Sequence, residues 1–246
     1  MKLTVIGCYS PFPAPGQATP GYLFEDGSGT RILFDCGSGV ASHIQPWIHP
    51  AQVDAIILSH YHHDHVADVG IFQYAAYMSL LKGFRSHSLV IYGPSLPEVK
   101  ARCRAYKDVS VAVDIAQGEE LELGRSRFRF FQTDHQGPCF GWSVTDGQFC
   151  LVYGADSGPD TDWSQLPSQP DVLILEASFL EENKRTGIKH LSAKEAAVVA
   201  ERLHAKHLVL THFYPTVDPQ QYVEEAQSFF TGTITAAYKG LSLSLS

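Results

Sequence analysis

The chain has 246 residues, 44% of them hydrophobic and 18% charged, which fits one domain of the larger kind or two small ones, permits a full core, and excludes the disordered and fibrous classes. No apolar run approaches the ~18 residues of a membrane span. The formal net charge of -8 argues against a long polyanionic partner, because nucleic-acid binding rests on Lys and Arg neutralising phosphates.

Met1-Lys2-Leu3-Thr4-Val5-Ile6-Gly7 is too short for a signal-peptide core and alternates like a strand, so we expect a strand over 3–6 and a cytoplasmic location. Pro11-Phe12-Pro13-Ala14-Pro15-Gly16 reads as a rigid loop. Segments 22–25 and 31–34 flank Asp26-Gly27-Ser28-Gly29, a hairpin signal. Asp35-Cys36-Gly37-Ser38-Gly39 closes that hairpin with a glycine-rich turn. Val53, Ile56, Ile57 and Leu58 form a short apolar run that reads as a buried strand ending at His60. Apolar positions from Val66 to Leu80 then follow helical spacing over 66–81, with Gly83 as the stop. A strand over 88–92, a helix over 97–106 with Pro97 in its first turn, and a strand over 127–133 leading to His135 come next.

Segments 140–144 and 148–153 form a hairpin across Asp146-Gly147, and the second strand delivers Gly154-Ala155-Asp156. An apolar strand over 172–176 is followed by a polar loop to His190. Ser192-Ala193-Lys194-Glu195 is a capping box opening a helix over 193–204. A strand over 207–211 presents His212. Asp218 and Pro219 cap the last helix, with Gln221 in the third position, and strands over 233–238 and 241–246 finish the chain. The five cysteines (Cys8, Cys36, Cys103, Cys139, Cys150) are odd in number and lack C-x-x-C spacing, so buried free thiols are expected rather than a disulfide framework or zinc ribbon.

The densest chemical signal lies at Ser59-His60-Tyr61-His62-His63-Asp64-His65, where four of the twelve histidines fall within six residues. Imidazoles at the end of a buried strand are partly desolvated yet reachable, which suits them as neutral metal ligands. His60 and His62, two apart, can point at one ion; Asp64 and His65 can point at a second. This H-x-H-x-D-H pattern resembles the metallo-β-lactamase superfamily of dinuclear metallohydrolases. His135, Asp156, His190 and His212 extend the likeness over nearly the whole chain.

The resemblance implies a mixed α/β fold, a four-layer αββα sandwich forming one hydrolase domain over 1–246. It implies one ion on His60, His62 and His135, a second on Asp64, His65 and His212, and Asp156 bridging both. A bridging hydroxide would be the nucleophile, with Asp64 and His190 as the catalytic residues. Zinc fits three histidines with carboxylate, and manganese or iron tolerate the same set. His43, His49, His63, His87, His204 and His207 add nothing to the ligand count and read as structural or exposed. Asp35, in an Asp-x-Gly turn, lies near the metals in this superfamily.

Glu176-Ala177-Ser178-Phe179, the run from Gly187 through His190 to Ala197, and Leu208-Val209-Leu210-Thr211-His212-Phe213 resemble the ribonuclease Z-like branch. There the histidine matching His190 binds the substrate phosphate and assists the leaving group. The branch's tRNA-processing members carry a long arm between the positions of His135 and Asp156; here a single hairpin fills that interval. The expectation is therefore a phosphodiesterase for small or flexible substrates, a cyclic nucleotide or short oligonucleotide. Its alternatives are a lactonase or thioesterase acting on a carbon ester, and tRNA 3′-end processing. Lys184, Arg185 and Lys189 precede His190 and could form a phosphate-holding rim. Strong nucleic-acid binding and a membrane are not expected; a homodimer is left open.

Overall fold

A computed structural model describes residues 1–244. The chain divides into two compact units, one of Met1–Ile115 with the described residues from Tyr238 to Ser244, the other of Ala116–Ala237. In the first, β1 (Lys2–Gly7), β2 (Gly21–Glu25) and β3 (Arg31–Phe34) pair antiparallel in sequence order. Tyr22 opposes Phe34 and Glu25 opposes Arg31, the register set by the turn in which Asp26 Oδ1 accepts from the backbone N–H of Ser28 and Thr30. After the short helix α1 (Val40–His43) the sheet turns parallel through β4 (Ala55–Ile57), preceding α2 (His63–Val66) and α3 (Val69–Leu81), then β5 (Leu89–Pro94), α4 (Glu98–Ala101) and β6 (Ser110–Ile115).

The helix expected over 66–81 is thus two pieces. Asp68, between them, is drawn off helical geometry: its carboxylate accepts from Ala41 N at 2.9 Å while its own N–H donates to Cys36 O at 3.0 Å. At the other end Gly83, at φ 71°, ends α3 with the paired bonds Gly83 N–H to Leu80 O and Phe84 N–H to Ser79 O, as the glycine implied. Residues 97–106 form α4 and a single 3-10 turn rather than one helix. The core of this unit gathers Ile6, Leu23, Leu33, Ile56 and Ile91 from the strands with Val40, Phe72 and Ala76 from α1 and α3 and Ile44 just after α1, all essentially sealed from water. Each large apolar side chain so buried contributes about 1.5–3 kcal/mol.

The second unit opens on β7 (Glu120–Leu123), β8 (Ser126–Gln132), β9 (Phe140–Thr145) and β10 (Cys150–Tyr153), antiparallel in sequence order. It continues parallel through β11 (Val172–Glu176), the helix α5 (Ala193–Arg202), β12 (His207–Thr211), the helix α6 (Pro219–Ala226) and β13 (Thr233–Ala236). The capping box is formed as expected: Glu195 N–H donates to Ser192 Oγ at 3.2 Å and Ser192 N–H to Glu195 Oε2 at 2.8 Å. Asp218 caps α6 through Gln220 N–H rather than through Gln221. The last strand, β14 (Ser242–Ser244), returns to the first unit antiparallel to β1, and the expected strand residues 245 and 246 lie outside the described residues.

Each unit therefore holds a seven-stranded mixed sheet, three antiparallel pairings followed by three parallel ones. Two strands, β6 and β7, were not expected. No described helix is long and apolar enough to cross a membrane. Cys8, Cys36 and Cys139 are buried free thiols; Cys103 is exposed and Cys150 half-buried, which corrects the expectation for those two.

Arg104 sits 2% exposed and donates to the carbonyls of Gly93, at 2.9 Å, and Val113, and to Asp114 Oδ1 at 2.6 Å, tying β6 to the end of β5. Arg104→Met leaves those carbonyls without a donor and should cost about 2–4 kcal/mol in urea unfolding. Arg102→Met, which removes only a water-exposed pair with Glu98, should change stability by less than ~0.5 kcal/mol.

Candidate metal centre

In both sheets the chemistry-bearing residues follow the carboxyl ends of strands, where side chains leave the buried layer. Asp35 follows β3, Ser59 and His60 follow β4, His135 follows β8, Asp156 follows β10, Glu176 ends β11, and His212 follows β12. Three residues at these exits, Asp35 (φ 54°), Ala155 (φ 50°) and His212 (φ 67°), adopt the left-handed backbone region that L-residues disfavour.

The first unit brings His60, His62 and His65 together, the His60 ring lying 4.6 Å from that of His62 and 4.2 Å from that of His65, centre to centre. Buried Asp35 organises this group. Its carboxylate accepts from Ser59 N–H at 2.8 Å and from Ser59 Oγ, and meets His65 Nδ1 at 2.9 Å. Ser59 Oγ also lies 3.0 Å from His60 Nδ1. Asp64 is held by two hydroxyls, Ser10 Oγ donating to Oδ2 at 2.8 Å and Thr19 Oγ1 donating to its carbonyl at 2.7 Å. Its Oδ2 lies 3.7 Å from His65 Nε2.

The second unit brings His135, Asp156, His190 and His212 together. His135 Nε2 lies 3.6 Å and His212 Nε2 3.2 Å from the two oxygens of Asp156. His135 Nδ1 meets Lys189 O at 3.1 Å, and His212 Nδ1 meets Ser178 Oγ at 2.8 Å. Burial pushes His135 below the usual imidazole range, keeping it in the neutral form that a ligand requires. Glu176, 1% exposed, receives His190 Nδ1 at 2.9 Å and 3.0 Å on its two oxygens, accepts Ser157 N–H at 2.6 Å, and takes the Ser178 hydroxyl.

The donor set fits divalent cations. His60, His65, His135 and His212 each have Nδ1 engaged by an oxygen, and the Nε2 atoms of His65, His135 and His212 face carboxylates, the arrangement in which an outer partner fixes tautomer and ring. Ligand atoms 2.0–2.1 Å from a tetrahedral ion lie about 3.3–3.4 Å apart, and the 3.2 Å and 3.6 Å spacings around Asp156 bracket that value. Imidazoles with carboxylates suit zinc, manganese or iron.

Glu176 and Ser178 were not singled out for a role, although a carboxylate ending an apolar strand was a visible anomaly. Of the rim residues, Lys184 pairs with Glu195 and Lys189 with Asp134 at 2.6 Å, so their charge is spent within the protein. An open groove past the end of β8 is lined by Asp134, Asp160 and Asp162 among uncharged glutamine and threonine side chains. His49 accepts Ala51 N–H, and His207 bonds Thr235 Oγ1 at 2.9 Å, the structural uses expected of the remaining histidines.

Residues 30–213 match the family model described as β-lactamase superfamily domain. The probable metallo-hydrolase YhfI of Bacillus subtilis is 35% identical over 240 residues, 98% of each chain. Its crystal structure, described as a metallo-β-lactamase fold protein, superposes with a TM-score of 0.91 over 99% of both chains at 34% identity. A ribonuclease Z of Methanopyrus kandleri is 27% identical over 271 aligned positions, 96% of this chain and 95% of that one. The crystal structure of a diphosphatase from the PhnP family shares the fold, with a TM-score of 0.78 at 18% identity over 100% of this chain and 98% of that one. The chain has the metallo-β-lactamase fold and belongs to the β-lactamase superfamily, among its metallo-hydrolases.

Proposed function

We propose that this protein is a dinuclear metal-dependent phosphodiesterase of the cytoplasm, acting on a cyclic nucleotide or short oligonucleotide. His60, His62 and His135 would hold one ion, Asp64, His65 and His212 the other, with Asp156 shared and zinc the best match to the set. Two such cations, when bound, lower the pKa of a shared water and offset charge on phosphate oxygens. Asp64, fixed through Ser10, would help aim the attacking water as well as serve as a ligand.

The observation that carries the phosphodiester reading is the pair His190 and Glu176. Glu176 takes Nδ1–H and faces the ring's charge when it is protonated, which assigns the contact with substrate to Nε2. As the P–O bond to the leaving alkoxide breaks, Nε2–H donates its proton to that oxygen and the neutral imidazole remains on Glu176. Such a general acid contributes typically 10²–10⁴-fold. The likeness to ribonuclease Z supports a phosphodiester over a carbon ester. Against tRNA as the substrate stand the short hairpin of β9 and β10 between His135 and Asp156, the internal pairing of Lys184 and Lys189, and the carboxylates of Asp160 and Asp162 in the groove past β8.

Elemental analysis of metal-loaded protein should give two ions per chain; His212→Ala should lose chiefly one and Asp156→Ala both, and a reloaded wild type with at most one ion contradicts the set. Assayed on bis(p-nitrophenyl) phosphate beside a lactone and a thioester, the protein should turn over the diester. His190→Ala should lower that rate by about 10²–10⁴-fold with metal content intact. Metal loss in this variant would make His190 a ligand, a reading open to it because Asp156, His190 and His212 each bring a donor atom within 4.8 Å of the others. Precursor tRNA at physiological salt should bind weakly; tight binding with cleavage at the tRNA 3′ side would return the chain to tRNA maturation.

A further inference from the structure

The four oxygens that meet an imidazole Nδ1 are not held alike. Asp35, Ser59 and Ser178 each stand within two positions of a strand end, so a sheet fixes them. Lys189 O, which meets His135 Nδ1 at 3.1 Å, belongs instead to the irregular loop between β11 and α5. A carbonyl only accepts, so this contact places the proton on Nδ1 and leaves Nε2 as the nitrogen with a lone pair for an ion. Whatever holds Lys189 therefore holds the His135 ring.

The side chain of Lys189 supplies that hold. Its Nζ donates to Asp134 Oδ1 at 2.6 Å, and Asp134 immediately precedes His135. Lys189 thus grips the His135 segment twice, by its carbonyl on the ring and by its ammonium on the neighbouring carboxylate. Asp134 is fixed in turn: its N–H donates to Thr161 Oγ1 at 3.0 Å, and its carbonyl accepts Gly158 N–H at 2.6 Å. Thr161 Oγ1 closes the group by donating to Gly158 O at 2.9 Å.

Gly158 is a second, independent observation. Its backbone is not in the left-handed region and so does not call for glycine. Space does: a Cβ there would stand 2.4 Å from Asp134 Oδ2, 2.9 Å from Asp134 O and 3.0 Å from Lys189 Cα. The chain goes without even a methyl group where the segments carrying Asp134 and Lys189 converge. Directly after Lys189 comes His190, whose ring lies 4.9 Å from that of His135, centre to centre, and whose Nδ1 rests on Glu176.

We propose that Lys189 and Asp134 are positioning residues whose ion pair, seated against Gly158, sets the His135 ring for its ion and fixes that ring relative to His190. A pair whose lysine side chain is 47% exposed adds little to stability, so its role is geometric. The proposal rests on His135 being a metal ligand, and it replaces the phosphate-holding role expected of Lys189.

Metal titration of the full chain, with zinc and with cobalt(II) as a spectroscopic probe, tests this. Lys189→Met should raise the dissociation constant of one ion by about 10–100-fold and alter the cobalt absorption bands, with circular dichroism unchanged. The sign is informative, because removing a positive charge beside a cation site would by itself tighten the metal; loosening reports lost geometry. Asp134→Asn should loosen the same ion, and the double variant should be no worse than Asp134→Asn alone. Gly158→Ala, which changes no charge, should loosen it too, while Lys189→Arg, which keeps the pair, should hold metal like wild type. A Lys189→Met protein that binds metal as tightly as wild type overturns the proposal. If its KM for bis(p-nitrophenyl) phosphate then rises, and that of Asp134→Asn falls as the ammonium is released, Lys189 is a phosphate contact instead. A wild type that binds no ion removes the centre itself and the positioning role with it.

Discussion

A buried imidazole has two nitrogens and no water to satisfy either, so its position is settled only when one nitrogen is given a permanent partner. At the strand exits of this chain that partner is always an oxygen on Nδ1: Asp35 for His65, Ser59 for His60, Lys189 O for His135, Ser178 for His212. Everything else follows from supplying those oxygens. Asp35 needs β3 beside β4, Ser178 needs β11 beside β12, and the parallel order of each sheet delivers both. The same logic isolates His190, the one imidazole of the group whose Nδ1 rests on a buried glutamate also bonded to Ser157 and Ser178.

Much of this was legible in the sequence because local signals and tertiary demand agreed. The strands over 31–34, 172–176 and 207–211 have the bounds expected, being apolar runs closed by the polar residues of the candidate site. The capping box at Ser192 and the stop at Gly83 speak for themselves locally. What stayed hidden depends on distant partners. Edge strand β6 shows mostly exposed residues, and β7 reads Glu-Leu-Glu-Leu, so neither carries the apolar run of an inner strand. The break at Asp68 is made by Ala41, far off in sequence. Ser10 and Thr19 could not be tied to Asp64 by any spacing rule, and Glu176 looked like the end of a strand until His190 was placed beside it.

The fold hosts several chemistries, so function has to be argued from the site. Here the electrostatics narrow the choice. Lys184 and Lys189 are matched by Glu195 and Asp134, and the groove past β8 adds the carboxylates of Asp160 and Asp162. A substrate with many phosphates finds little to hold it there, whereas the single phosphodiester proposed above would need only the cations proposed for the site. Net charge of -8 and a local cationic centre are compatible because bound divalent ions are the largest charges in their surroundings.

The left-handed residues Asp35, Ala155 and His212 carry a cost of roughly 1–2 kcal/mol each at the places where side chains leave the sheets. Glycine would relieve it at every one, yet glycine at 35 or 212 would delete the carboxylate or the imidazole. Folding and ligand placement therefore pull in opposite directions along the same few bonds. In evolutionary terms the relief is open only at Ala155, because at 35 and 212 the same exchange would leave buried partners such as the Ser59 N–H and the Ser178 hydroxyl without the group they meet.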